Sequence, residues 1–163
     1  MFALDPFIAA QDAAHAGFDD AMAELRAGRK SGHWIWYVFP QLAALGQSEM
    51  SRRFGLRDLA DAEAYVRHQV LGARLIEAVD TVWAQVRRVP PPPLHVLMGS
   101  RIDALKLVSS LTLFEGVALR LAAGESNDDV AQLAQRAGEV LAIAAAQGYP
   151  RCALTAATLS RRP

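Results

Sequence analysis

Apolar residues recur at helical spacing along most of this chain, and polar caps and glycines cut the recurrence into helix-length blocks. Phe18, Met22 and Leu25 form one stripe, closed by Gly28 as a left-handed stop. The run from Trp34 to Phe39 is short and ends at Pro40, which predicts a mostly buried helical turn. Ser48 is placed to cap a short helix carrying Met50 and Phe54, and Asp58 another carrying Leu59, Ala62 and Val66. Leu71, Leu75, Val79, Val82 and Val86, widened by Trp83, predict a long amphipathic core helix over 70–86.

Pro90-Pro91-Pro92-Pro93 cannot continue that helix and reads as a stiff connector between two halves of one domain. Beyond it, Ser100 with Asp103 three residues on resembles a capping box, so a helix is expected from about Arg101. On that helix Asp103, Lys106 and Ser110 share a face, Ser109 neighbours Lys106, and Leu105, Val108, Leu111 and Thr112 cover much of the other side. A last helix starts at Ser126 or Asn127, buries Val130, Leu133, Ala137, Val140, Leu141 and Ala144, and stops at Gly148 and Pro150. The expected architecture is all-α: one domain over 1–150, a bundle-like array of about six to eight helices, with 151–163 a partly disordered C-terminal tail.

Composition narrows the function classes. The 163 residues are 52% hydrophobic and carry seventeen acids against seventeen bases, so no global field gathers nucleic acid or an anionic membrane. Every long apolar stretch is interrupted by charge and the N-terminus lacks a secretory pattern, which predicts a soluble cytoplasmic protein. Cys152 stands alone, and His15, His68 and His95 are scattered without a second ligand at helical spacing, so neither a disulfide, a metal nor a cofactor is expected. Nothing in the pattern fixes an oligomeric state.

Charge usage is more informative than charge balance. Only Lys30 and Lys106 are lysines among seventeen basic residues, and each lies in one of the two chemically densest segments, 28–41 and 100–114. Gly28-Arg29-Lys30-Ser31-Gly32 is not a phosphate loop, because Arg29 and Glu24 stand where that motif needs glycines. What the two segments offer is a site for a polar or anionic small molecule. Lys30 and Lys106 would contact anionic oxygens, Trp34 or Trp36 would stack on a ring, Gln41, Ser109 and Ser110 would orient, and His33 or Asp103 would be the acid/base candidate. Lys106 with Ser109 or Ser110 gives only a faint Ser-Lys nucleophile signal, because the order is reversed. The leading expectation is therefore binding, with or without turnover, of a small anionic or nucleotide-like ligand in a cleft where the two segments converge. The alternative is a non-catalytic protein-interaction module with Trp34, Trp36 and Tyr37 as an exposed patch. A third reading makes the polar residues a structural network, with both lysines paired.

Glu24-Leu25-Arg26-Ala27-Gly28-Arg29-Lys30, followed by His33-Trp34-x-Trp36-x-x-Phe39-Pro40-Gln41, resembles the bacterial domain-of-unknown-function family numbered 1810. Leu45-Gly46-x-Ser48, Ala64-Tyr65, Leu71-Gly72-x-Arg74-Leu75, Asp103-x-x-Lys106 and Ser109-Ser110-Leu111-Thr112-Leu113-Phe114 continue the resemblance over positions 4 to 115. Phe54, Gln69, Met98 and Leu111 depart from the pattern, mostly with shape preserved. The resemblance implies a mainly helical single domain of unassigned activity. The label "calpastatin" carried by some members does not suit this chain, since inhibitors of that name are disordered and repetitive.

Overall fold

The computed structural model describes residues 3–161. Among them the chain forms ten α-helices: α1 (Asp5–Gln11), α2 (Phe18–Arg26), α3 (Ile35–Val38), α4 (Glu49–Phe54), α5 (Leu59–Arg67), α6 (Gln69–Val86), α7 (Leu94–Leu97), α8 (Arg101–Gly124), α9 (Asp128–Ala146) and α10 (Ala153–Ser160). A 3-10 turn, Ala43–Leu45, precedes α4, and the sole extended pairing among the described residues is an isolated bridge between Leu42 and Leu56.

The caps follow the sequence closely. Side chains of Ser48, Asp58, Ser100 and Asn127 accept from the N–H of Ser51, Asp61, Asp103 and Asp129 respectively, each satisfying a first-turn donor that the helix itself cannot. His68 adds an unanticipated cap: its Nδ1 accepts from Val70 and Leu71 at 3.2 Å each, opening α6 directly after α5. Gly28 and Gly99 both have positive φ, 84° and 79°, and turn the chain at the entrances to the two dense segments.

The 24-residue α8 is the axis of the molecule, and at 1.5 Å per residue it is about 36 Å long. It packs on α9, α5, α10 and α7, while α6 packs on α9, α5 and α2. Leu71, Leu75, Val79 and Val82 of α6 meet Leu107, Leu111, Phe114 and Val117 of α8 and Leu133, Ala137 and Leu141 of α9 in one continuous core. Leu105 departs from the expected apolar side and is 44% exposed, because Ala104 and Leu107 take the inward positions. At one end the ring of Phe7 meets Phe54 and Tyr65 edge-on, and buried Gln11 donates to the Tyr37 carbonyl at 2.7 Å and the Tyr65 hydroxyl at 3.0 Å. Those contacts tie α1 to α3, α4 and α5.

Ten helices exceed the expected six to eight. The additional ones, α1, α7 and α10, are four to eight residues long, too short to show a periodic stripe. The expectation of a partly disordered tail is also revised over its described part. The backbone N–H of Cys152 donates to Thr112 Oγ1 at 3.2 Å, Arg151 makes a two-pronged bond to Glu115, Arg120 reaches the Leu159 carbonyl, and Leu159 lies over Gly116, so α10 is docked along α8.

Candidate functional site

After α2 the chain doubles back, and Glu24, on the last turn of that helix, gathers the returning loop. Its carboxylate accepts from the Ser31 N–H and hydroxyl at 2.6 Å each, from the Gly32 N–H, and from the Trp34 indole N–H at 2.7 Å. Burial pushes the Glu24 carboxyl up, but the bonds from the Ser31 hydroxyl, Gly32, Trp34 and the Ser31 N–H together outweigh it and hold the group below its ordinary value. Trp34 is thereby fixed with its ring fully buried.

Within this loop Lys30 points inward. Its side chain is 4% exposed, its ammonium lies 2.7 Å from Asp103 Oδ2 in the first turn of α8, it donates to the Gly32 carbonyl, and it sits 4.9 Å from the centre of the Trp34 ring. Its backbone N–H donates to the Leu97 carbonyl at 2.8 Å. An ammonium has three donors, and a carboxylate, a carbonyl and an aromatic face occupy the space around this one. The two dense segments are therefore in direct contact, joined by an internal ion pair.

Further along the same face of α8, Lys106 covers Trp36 with its ammonium 4.6 Å from the ring centre. No carboxylate pairs with Lys106 among the described residues. Among the described residues the buried indole N–H of Trp36 has no acceptor, and the buried hydroxyl of Ser110, one turn beyond Lys106, has no hydrogen-bond partner. A hollow of about 10 Å³, room for one water molecule, lies among Trp36, Gln41, Ser51, Phe54 and Gly55. Gln41 is half-buried at its edge, and His33 is exposed at the start of α3. Ser109 donates to the Leu105 carbonyl at 3.0 Å. It also touches the Cys152 thiol, which burial raises but which hydrogen bonds to Thr155, Ser109 and Leu154 bring below its ordinary value.

This geometry sorts the residues singled out from the sequence. Lys30 and Trp34 are internal, so neither presents a surface to a ligand; Asp103 is engaged by Lys30. Trp36, Lys106, Gln41 and Ser109 remain partly accessible. The exposed aromatic patch of the alternative reading is absent, because Trp34 is 0% and Tyr37 7% exposed, leaving Trp36 alone at the surface. Glu24 was not visible as a participant: its bonds span seven to ten residues, past the end of a helix, where no periodic signal operates. No cluster of histidine, cysteine and carboxylate side chains suited to a metal ion occurs among the described residues, and no helix there is long and apolar enough to cross a membrane.

Fold and seam define an all-α protein built on one long helix, against which a His-Trp-x-Trp segment is stapled through a buried Lys-Asp pair. The chain belongs to the family described as "Protein of unknown function (DUF1810)", whose model matches residues 1–127. It is similar to the crystal structure of the conserved hypothetical protein Rv1873 from Mycobacterium tuberculosis, with 34% identity, a TM-score of 0.71 and coverage of 98% of this chain and 97% of that chain. No curated protein matches. The structural likeness thus extends over α9 and α10, beyond the part matched by the family model.

Proposed function

We propose that this protein binds a small anionic or nucleotide-like ligand at the seam between α3 and α8, around Trp36 and Lys106. The observation that carries the reading is a group of donors without acceptors. Among the described residues the Lys106 ammonium has no carboxylate partner, and the indole N–H of Trp36, whose ring it covers, has no acceptor. Buried polar groups in folded proteins are nearly always satisfied, and each exception needs a cause. An oxyanion or a polar ring edge is a cause that fits donors only. Gln41 and Ser109 stand beside them to orient the ligand, and His33 is the accessible group for proton transfer where the ligand reacts. Lys30, Asp103 and Trp34 act behind the seam, holding its two sides in register.

The test is a thermal-shift screen of the wild type, Lys106→Gln and Trp36→Phe against nucleotides, nicotinamide dinucleotide, ADP-ribose and phosphorylated metabolites. A ligand at a hundred times its Kd stabilises the native state by about 2.7 kcal/mol. For a chain of this length that is a rise in Tm of roughly 5–10 °C. The expected result is a rise in the wild type that is lost in both variants. A rise that survives in Lys106→Gln, or none with any compound, would overturn the reading.

A further inference from the structure

Away from the Lys106 seam, where α7 hands over to α8, Arg29, His95 and Arg101 line two adjoining hollows whose walls hold no acid. Arg29 and His95, with Val96 and Gly99, line a hollow of about 210 Å³. His95 also walls a second hollow of about 460 Å³ with Arg101, Pro91, Pro93, Gln147 and Tyr149. None of Arg29, His95 and Arg101 takes part in an ion pair among the described residues.

The surroundings are built rather than loose. Arg101 lies 5.4 Å from the centre of the Tyr149 ring, which is itself 4% exposed and so fixes where the guanidinium can go. Gln147 accepts from the Leu94 N–H at 2.7 Å and donates to the Pro92 carbonyl at 3.1 Å, pinning the proline wall to the end of α9. The N-terminus of α8 opens here after Gly99, and its first N–H groups, at Arg101 and Ile102, have no partner within the helix. The one acid of that first turn, Asp103, is already neutralised by Lys30 at 2.7 Å.

From this we infer that the two hollows sharing His95 form a second binding site, for a small phosphomonoester, with the phosphate held by Arg29, His95 and Arg101 and the carbon portion against Pro91 and Pro93. Two guanidinium forks and a helix N-terminus suit a compact dianion with several acceptor oxygens. The proline wall suits an apolar substituent. A nucleic-acid backbone fits less well, because the chain's net charge is zero and these three basic residues are confined to two adjoining hollows.

The test is calorimetric titration of the full chain with inorganic phosphate and with phenyl phosphate, repeated on Arg29→Gln, His95→Gln, Arg101→Gln and Lys106→Gln. Arg29, His95 and Arg101 are exposed, so their variants should fold; unchanged melting temperatures will verify it. The inference expects phenyl phosphate to bind more tightly than phosphate, and a loss of about tenfold or more in affinity for each arginine variant, as removing a charged hydrogen bond implies. His95→Gln should weaken binding less, and the binding that depends on the two arginines should persist in Lys106→Gln. That last arm separates this site from the Lys106 seam: an effect confined to Lys106→Gln would sink this inference and support the other. No heat from either probe at millimolar concentration, equal affinity for the two, or affinities unmoved by the arginine variants would also overturn it.

Discussion

Replacing Lys30 by Met tests whether this lysine is an internal staple or a ligand contact. The substitution keeps the chain length and apolar stem, and removes the ammonium that lies 2.7 Å from Asp103 and donates to the Gly32 carbonyl. What remains is a carboxylate whose side chain is 18% exposed and has lost its counter-charge. Breaking a buried pair by deleting one partner costs about 3–5 kcal/mol, and because Asp103 keeps some access to water the lower end, about 3 kcal/mol, is expected. For a domain of this size that lowers Tm by roughly 6–12 °C. Removing both charges, as Lys30→Met with Asp103→Leu, should return most of the loss, since no buried charge is then left unpaired. Lys30→Arg should not rescue, because the larger fork must enter a site that is 4% exposed and floored by the Trp34 ring; such overpacking costs about 1–3 kcal/mol. Urea unfolding followed by circular dichroism, extrapolated to water, reads wild type, these three variants and Asp103→Leu alone. A Lys30→Met variant within about 1 kcal/mol of wild type, or a double variant as unstable as the sum of its singles, would refute the staple.

Two further perturbations probe the same region. Glu24 has a depressed folded-state value, so its contribution to stability is complete above its ordinary value of 4.5 and is lost as pH falls through the lower, folded value. Glu24→Gln should therefore flatten the acid limb of the Tm profile below pH 4.5, relative to wild type, and parallel limbs would contradict the role given to this carboxylate. Gly99→Ala should be destabilising by about 1–3 kcal/mol, because its φ is 79° and an added Cβ would lie 2.5 Å from the Lys30 carbonyl oxygen. Gly116→Ala is the contrast: its Cβ would meet only the mobile tip of Leu159, and alanine favours a helix interior, so denaturant midpoints should show a smaller loss. The opposite order would count against the backbone argument.

What the sequence made legible was whatever repeats or caps. The stripe from Leu71 to Val86 is a full-length core helix because its neighbours are long enough to demand one apolar face throughout. Ser48, Asp58, Ser100 and Asn127 cap as their chemistry requires. The all-α class follows from the same signals, whereas the convergence of segments 28–41 and 100–114 is expected only from their mix of polar and large apolar residues. What stayed hidden depends on partners distant in sequence. The helix α10 has small residues and a weak stripe, and its position is set by Gly116, Glu115 and Arg120 on α8. Trp34 and Trp36 are two residues apart and differ by about 200° around a helical turn, so one is wholly internal and the other reaches the surface. Spacing shows that they diverge, but not which one the core keeps.

The selective use of lysine takes on a meaning different from the one its rarity suggests. Lys30 is compact enough to enter a nearly closed site where Arg29, one residue earlier, could not follow, and the chain places the two on opposite sides of the same turn. Asp103 and Arg101 repeat the arrangement at the start of α8, one turned in and one turned out. The buried pair, together with the bond from the Lys30 N–H to the Leu97 carbonyl, holds the two turns in contact. Their outward arginines are therefore brought to adjoining hollows on either side of His95. On this argument the lysine-aspartate pair supplies position and the neighbouring arginines supply recognition. Of the two lysines conspicuous in the sequence, Lys30 is thus the one that serves position, paired inward with Asp103.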